Sequence, residues 1–452
     1  MSVFERAVES VFISDGLSVK DAVARYKERR EHVLKRCRDI TVLTGVNEAL
    51  GEKNVWAQCD YPLYQDPSLL YLTGLNQSHV ALVMNPFSKK QYLGLPKQDK
   101  NKEFWEGYVF SFHSSTLKEC RDLLGVDDVF DVRYLKQFIH DEMMREKSNR
   151  CGLFWYETKG KDRAVRDSHW AFKASLKTYF KRKEKKVHLH NIQGIFESRL
   201  CLDKVDRDNL LTANKYSADI FKRCLALFST YKTETELAGY VKGEIYKASP
   251  LGQSFPAIVA SGKNAAVLHY HSNNQPLEPN GLVLIDFGLR YFAMPADISR
   301  TVPANGVFNP LQKLLYNCVL KTQQEVEKRV KAGVTVSELN DVCWSFLEQE
   351  LDEKFISIGG HYSRPYKKVP HFVSHLIGHS VHDGDPYRYY RDVPLKEGMV
   401  ISNEPGLYGE FDCEIDGVRY SEHCGIRIED DLLVTESGCI NLSASCPKTV
   451  VD

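Results

Sequence analysis

Residues 281–301 read GLVLIDFGLRYFAMPADISRT. An apolar run ends in an acid, Asp286, a turn with glycine follows, and a second acid, Asp297, stands directly before ISRT. A strand, a turn and a returning strand would bring the two carboxylates together. Acids at such spacing are common, and an Asp at a turn beside an Asp at a strand end is the plain alternative. The stretch therefore speaks for a sheet before it speaks for any chemistry.

Working outward from it, long helical patterns cover residues 204–230, 233–247, 310–331 and 335–352. Thr233 with Glu236, and Thr335 with Glu338, stand at capping-box spacing, and Gly333 separates the last two helices. Strand-like segments GMVISNEPG and GIRIEDDLLVT follow, so the second unit is expected to be a mixed sheet with helices packed on it. Toward the N-terminus, VKDAVARYKERREHVLKRCRD (residues 19–39) has helical spacing, whereas LLYLTGL (69–75) and HVALVMNP (79–86) read as strands ended by Gly and Pro. CGLFWYET and VRYLKQFIHDEMM continue the alternation, which predicts an α/β or α+β N-terminal domain. The basic run YFKRKEKKVHLHN (179–191) reads as a solvated helix end plus linker, which sets the domains at 1–185 and 186–452.

A chain of 452 residues is long for a single core and suggests two domains. Its 60 basic residues balance its 60 acidic ones, so the footprint of a nucleic-acid or anionic-membrane binder is missing. The acidic start MSVFERAVESVFISDG lacks the positive flank and apolar core of a signal peptide, and no apolar run approaches the ~20 residues of a membrane span. Twelve cysteines occur without a CxxC pair, which fits a reducing, cytoplasmic setting. Cys424 is expected to be a free structural thiol.

The chemistry concentrates downstream. In HFVSHLIGHSVHD, His371, His375, His379 and His382 fall close together; a helix would align the first three on one face, as in a zinc site, yet the glutamate of a HExxH motif is missing. Glu404 in GMVISNEPGLY and Glu429 in GIRIEDD each end an apolar strand, where an unpaired buried carboxylate would be costly. Four carboxylates and one imidazole would balance two divalent ions, the arrangement of two-metal hydrolysis. Oxygen-rich ligation favours a hard ion such as manganese over zinc.

Taken together, ASGKNAAVLHY, LIDFGLRYFAMPADISRT, HFVSHLIGHSVHD, ISNEPGLY and GIRIEDD resemble, in order, the motifs of metallopeptidase family M24, the pita-bread family of methionine aminopeptidase, aminopeptidase P, prolidase and creatinase. The resemblance covers residues 255–436. It implies an α/β N-terminal domain followed by an α+β pita-bread catalytic domain, a curved antiparallel sheet backed by two helix pairs. It further implies that Asp286, Asp297, His375, Glu404 and Glu429 hold two divalent ions, with Asp297 and Glu429 bridging them. The family pattern HxxxHxxGxxxHD aligns without a gap on His371, His375, Gly378, His382 and Asp383, which selects His375 as the ligand and leaves His379 as an extra. By the same alignment His269 borders the substrate, His382 helps hold the developing oxyanion, and Glu404 also moves the proton of the attacking water to the leaving nitrogen.

The N-terminal stretch LYQDPSLLYLTGLNQSHVALVMNP and the C-terminal EDDLLVTESGCINLSAS are similar to aminopeptidase P, with prolidase next. Both activities cleave an Xaa-Pro bond, where proline supplies no amide hydrogen and must be recognised by shape. Arg391, with Arg388 nearby, is the candidate anchor for a substrate carboxylate; Tyr387 and Arg427 are candidate substrate-side residues. Trp105, in KEFWEG, either packs in a core, the favoured placement, or reaches an active site as a tryptophan does in similar enzymes. Relatives imply a homodimer or homotetramer acting on peptides with penultimate proline. His379, His423 with Cys424, and a short segment between Asp297 and His375 depart from the family pattern without removing a ligand. The alternatives are an Xaa-Pro dipeptidase of the prolidase type and, in a different class, a metal-free pita-bread binding module; the latter predicts eroded ligands, and all five are present.

Overall fold

The computed structural model describes residues 11–45, 65–106, 108–112, 117–153, 167–192, 194–383 and 388–448. The chain divides into two compact units, Met1–Arg199 and Leu200–Asp452.

The first unit is built on a six-stranded mixed sheet in the order β4-β3-β2-β1-β5-β6. Its strands are β1 (Ile40–Thr44), β2 (Ala81–Asn85), β3 (Lys90–Leu95), β4 (Asp128–Asp131), β5 (Arg150–Leu153) and β6 (His188–Asn191). Helix α1 (Val19–Leu34) packs against α2 (Pro67–Thr73). Helices α3 (Leu135–Arg145) and α4 (Asp167–Arg182) bury Ile139, Met143, Leu176 and Phe180 against Ile40, Val42, Val83 and Cys151 of the sheet. This is the α/β arrangement expected of the N-terminal domain.

Three local readings change. LLYLTGL is largely the short helix α2, because Asp66 caps it by accepting from the Ser68 and Leu69 amides at 2.9 Å each and Pro67 occupies its first turn. The end of the basic run is not linker: β6 pairs in parallel with β5, Leu189 opposite Cys151. Trp105 is 82% exposed, edge-on to the equally exposed Phe104, so it belongs to no core.

Among its described residues the second unit carries four long α-helices, α5 (Lys204–Ala226), α6 (Glu234–Ala248), α7 (Pro310–Glu327) and α8 (Val336–Lys354). Both threonine capping boxes form as expected, and Asn309 with Gln312 makes a third at the start of α7. The strands β7 (Ile258–Ser261), β8 (Leu282–Phe287), β9 (Arg290–Tyr291), β10 (Met294–Pro295) and β11 (Ile298–Pro303) come between the helix pairs. After α8 follow β12 (His361–Ser363), β13 (Leu376–Ile377), β14 (Val400–Asn403), β15 (Gly406–Ile415), β16 (Val418–Arg427), β17 (Asp430–Val434) and β18 (Cys439–Asn441). Every strand pairing here is antiparallel. Helices α5 and α6 bury Ala213, Phe221, Leu237 and Val241 on β7, β8 and β11, while α7 and α8 pack on each other and α7 covers β14, β15 and β16. Antiparallel strands backed by two helix pairs are the pita-bread fold. No described helix is long and apolar enough to cross a membrane.

Candidate metal centre and active site

The hairpin quoted at the outset forms as β8 and β11, with Asp286 opposite Ser299 and Phe287 opposite Ile298. Its two backbones approach closely at Gly288, where a Cβ would sit 1.8 Å from the carbonyl oxygen of Ala296. Only glycine fits there. Asp286 near the end of β8 and Asp297 just before β11 are thereby brought face to face.

The histidine segment is not a helix. His375 precedes the two-residue strand β13, and its backbone is tied to β14: the His375 amide donates to Ser402 Oγ at 3.0 Å, and the Ser402 amide donates to the His375 carbonyl at 2.9 Å. One turn of sheet then delivers Glu404, whose amide donates to the Val373 carbonyl. Glu429 lies between β16 and β17, and its amide donates to the Ser299 carbonyl at 3.0 Å while its carboxylate accepts from Ser299 Oγ at 2.8 Å.

These ties converge. His375 Nε2 lies 3.4 Å from Asp297 Oδ2, 3.5 Å from Glu404 Oε1 and 3.9 Å from Glu429 Oε1. Potential ligand atoms lie within 4.8 Å of one another in three overlapping groups: Asp286, Asp297 and Glu429; His375, Glu404 and Glu429; and Asp297, His375 and His382. The His382 ring is 4.1 Å from that of His375, so it borders the same point from the solvent side. His379 joins none of these groups; it is 3% exposed, with Nε2 4.0 Å from Asp206 Oδ1.

The electrostatics of the cluster suit cations. Burial first, and then the neighbouring acids, hold Asp297, Glu404 and Glu429 well above the ordinary carboxylate range. Asp286 Oδ1 is buried without a hydrogen-bond partner. Arg427 is the guanidinium inside the cluster: it donates from Nη2 to Asp286 Oδ2 at 2.6 Å and from Nε to Ser299 Oγ at 2.8 Å. With one cation among four acids, ionising the whole cluster would leave an excess of negative charge in a low-dielectric site. Divalent ions would remove it, and the donor set of oxygens with one nitrogen fits them.

The cluster floors a cavity of about 880 Å³ whose walls include Phe255, Leu268, His269, Pro370, His371, Phe372, Arg391 and Arg427. Burial, and then the nearby Arg427, lower the His269 imidazole, and burial pushes His371 down to about 4, so both are neutral at physiological pH. The Arg391 guanidinium lies 3.7 Å over the Phe372 ring. Tyr387 falls outside the described residues. Cys424 is buried, as expected of a structural thiol.

Four contributors to the site were not singled out from the sequence. Tyr408 Oη lies 3.1 Å from His371 Nε2 and accepts from Arg427 Nη1 at 3.3 Å. Ser299 and Ser402 orient ligand side chains and backbones. Asp431 accepts from the Asp297 amide at 3.2 Å and from Asn214 Nδ2 at 2.8 Å, fixing the backbone that carries Asp297. Tyr408 and Asp431 stand within the quoted motifs, but their role depends on partners outside their own segments, His371 and Arg427 for Tyr408 and, over 100 positions away, Asn214 and Asp297 for Asp431.

Comparison with known proteins agrees with the fold. The family described as Metallopeptidase family M24 matches residues 208–436, and the Aminopeptidase P, N-terminal domain, matches residues 26–150. The chain is 29% identical over 405 residues to Xaa-Pro aminopeptidase 3 of Rattus norvegicus, covering 87% of this chain and 76% of that protein. It is 27% identical over 434 residues to the Xaa-Pro aminopeptidase of Haemophilus influenzae, covering 94% and 95%. Among solved structures, aminopeptidase P of E. coli with the inhibitor Pro-Leu matches with a TM-score of 0.76 at 24% identity, over 94% of this chain and 96% of that one. Icp55 of Saccharomyces cerevisiae matches with a TM-score of 0.75 at 23% identity, over 95% of each. These two likenesses establish a common fold.

Proposed function

The chain belongs to metallopeptidase family M24, and from that premise we propose that it is an Xaa-Pro aminopeptidase, a dinuclear-metal hydrolase that removes the first residue from peptides with proline in second position. The convergence of Asp286, Asp297, His375, Glu404 and Glu429 on one point beneath a peptide-sized cavity carries the reading. The aminopeptidase P N-terminal domain and relatives named Xaa-Pro aminopeptidase support it over a dipeptidase.

When bound, two divalent ions, manganese by the hardness of the donors, supply Lewis-acid polarisation of the scissile carbonyl and a more acidic water. The five side chains hold them. Glu404, at the edge of the cluster and open to the cavity, takes the proton of the attacking water at a carboxylate oxygen and passes it to the proline nitrogen as that bond breaks. His382 and His269 stand on the solvent side as donors to the developing oxyanion and the substrate backbone. Arg427 orients Asp286 on the side where the free amino terminus is held. Arg391 anchors the peptide beyond proline, and the apolar wall of Phe255, Pro370 and Phe372 accepts the ring that cannot donate a hydrogen bond.

The test is a paired assay with added manganese, comparing an Xaa-Pro dipeptide with an Xaa-Pro-Yaa tripeptide. Release of Xaa from the tripeptide alone is expected. Cleavage of the dipeptide alone would make the chain a dipeptidase; no bound metal and no cleavage of either would end the hydrolase reading.

A further inference from the structure

Arg290 opens β9, in the turn between Asp286 and Asp297, and its side chain lines the same cavity. Its base is rigid. The Arg290 amide donates to the Gly252 carbonyl at 2.9 Å, the Ala296 amide donates to the Leu289 carbonyl at 3.1 Å, and Gly288 closes the hairpin neck.

Beside the half-buried Arg290, the buried arginines described in this unit have carboxylates: Arg300 meets Asp430 at 2.7 Å and Arg427 meets Asp286 at 2.6 Å. Arg290 has none within 4 Å among the described residues. Its guanidinium makes one hydrogen bond, from Nη1 to the Ala293 carbonyl at 3.2 Å, and Asp383 attracts it only at longer range. Five N–H donors with one acceptor leave most of the fork unused. Burial lowers the group to about 10, so it remains cationic at neutral pH.

The cavity acids cannot serve it, because they are the proposed metal ligands. Once metal neutralises them, and with Arg427 held by Asp286, the cations left on the wall without a carboxylate among the described residues are Arg290 and Arg391, from separate elements. Arg391 Nε is buried without a partner, and that side chain is already assigned to the peptide beyond proline.

Resting on the aminopeptidase reading, we propose that Arg290 is a specificity-determining residue that gives the cavity a second anion-binding corner, selecting Xaa-Pro peptides that present a carboxylate close to the scissile bond. An unused, partly desolvated guanidinium recognises a carboxylate through charge-assisted, often bidentate, hydrogen bonds. The carboxylate can come from an acidic first residue, an acidic third residue or the C-terminus of a tripeptide.

The experiment measures kcat/KM of the manganese-loaded protein on matched peptides. They carry Glu against Gln at the first position, Glu against Gln at the third, and a free against an amidated C-terminus. At one position the acid should exceed its neutral isostere by about tenfold or more, and the position identifies the source. Arg290→Gln should bring that ratio to about one while neutral peptides are cleaved at near wild-type rates; Arg290→Lys should keep part of it. If Arg290→Gln misfolds, the wild-type ratios and Arg290→Lys still decide. Ratios near one at all three positions in the wild type, or an acid preference that Arg290→Gln leaves intact, overturn the proposal while the aminopeptidase reading stands. Failure to cleave any of the neutral peptides overturns both.

Discussion

Nη2 of Arg427 donates to Oδ2 of Asp286 at 2.6 Å, joining two residues 141 positions apart at the centre of an acidic cluster. Both side chains are buried, so removing either would leave the other without its partner in a low-dielectric site.

Arg427→Lys keeps the charge but loses the fork that also reaches Ser299 Oγ and Tyr408 Oη. Metal affinity or turnover should fall about 10- to 100-fold, as for other groups that orient metal ligands. Arg427→Ala should further destabilise the metal-free protein by about 3–5 kcal/mol. Metal titration and thermal melts check both; wild-type values for Arg427→Lys would remove the guanidinium from the site.

Glu404→Gln should retain the fold and lower kcat by about 10²–10⁴-fold. Because burial and neighbouring acids disfavour the charged form of Glu404, the metal-free variant should melt no lower than wild type at neutral pH. Near-normal turnover would refute the proton-transfer role.

Metal-free stability should fall as pH rises. Asp297, Glu404 and Glu429 stay protonated in the fold over a range where unfolded carboxylates, with pKa about 4, have ionised. Unfolding in that range releases protons, so their contribution is whole below the unfolded values and is lost as pH climbs through the raised folded ones. His371, depressed to about 4, has the opposite sign, its contribution being lost as pH falls from about 6.5. Between about pH 7 and 8 the imidazole is neutral in both states and the buried thiols, whose unfolded value is about 8.5, do not yet contribute, so melts there exclude both. The metal-free melting temperature should decline, and manganese should remove the slope. Equal slopes with and without metal would separate the cluster from metal binding.

His379→Leu should keep the metal and the activity, since His379 lies outside the ligand groups. It takes a polar neighbour from buried Asp206, so stability should drop by about 1–2 kcal/mol. Loss of bound metal, measured by elemental analysis of the purified variant, would mean that this histidine is a ligand after all.

Much of this was legible because local chemistry and tertiary need agree. Thr233 with Glu236 and Thr335 with Glu338 start helices where their spacing says, and the strand–turn–strand at Asp286 forms as read. LLYLTGL misled because an apolar run of seven has no clear period, and the Asp66-Pro67 cap outweighs it. The four histidines have helical spacing, yet backbone ties from Val373 and His375 to β14 hold that segment extended. Spacing alone could not choose among them; family likeness chose His375, and the geometry puts its ring among the acids. Arg290 and Asp431 stayed silent because their meaning lies in what faces them, which no local pattern records.

Asp431, which holds the Asp297 backbone, is itself tied through its amide to Ser443 Oγ, and Ser443 Oγ donates in turn to Asn214 Oδ1 across 229 positions. The site is therefore a late event in the life of the chain. On the ribosome the N-terminal unit emerges and folds first, while Asp297 waits for a partner, Asp431, that is made 134 positions later. Nascent chains stalled before Ser443 clears the exit tunnel should bind no manganese, and those stalled well beyond it should, which ties metal loading to the arrival of that residue.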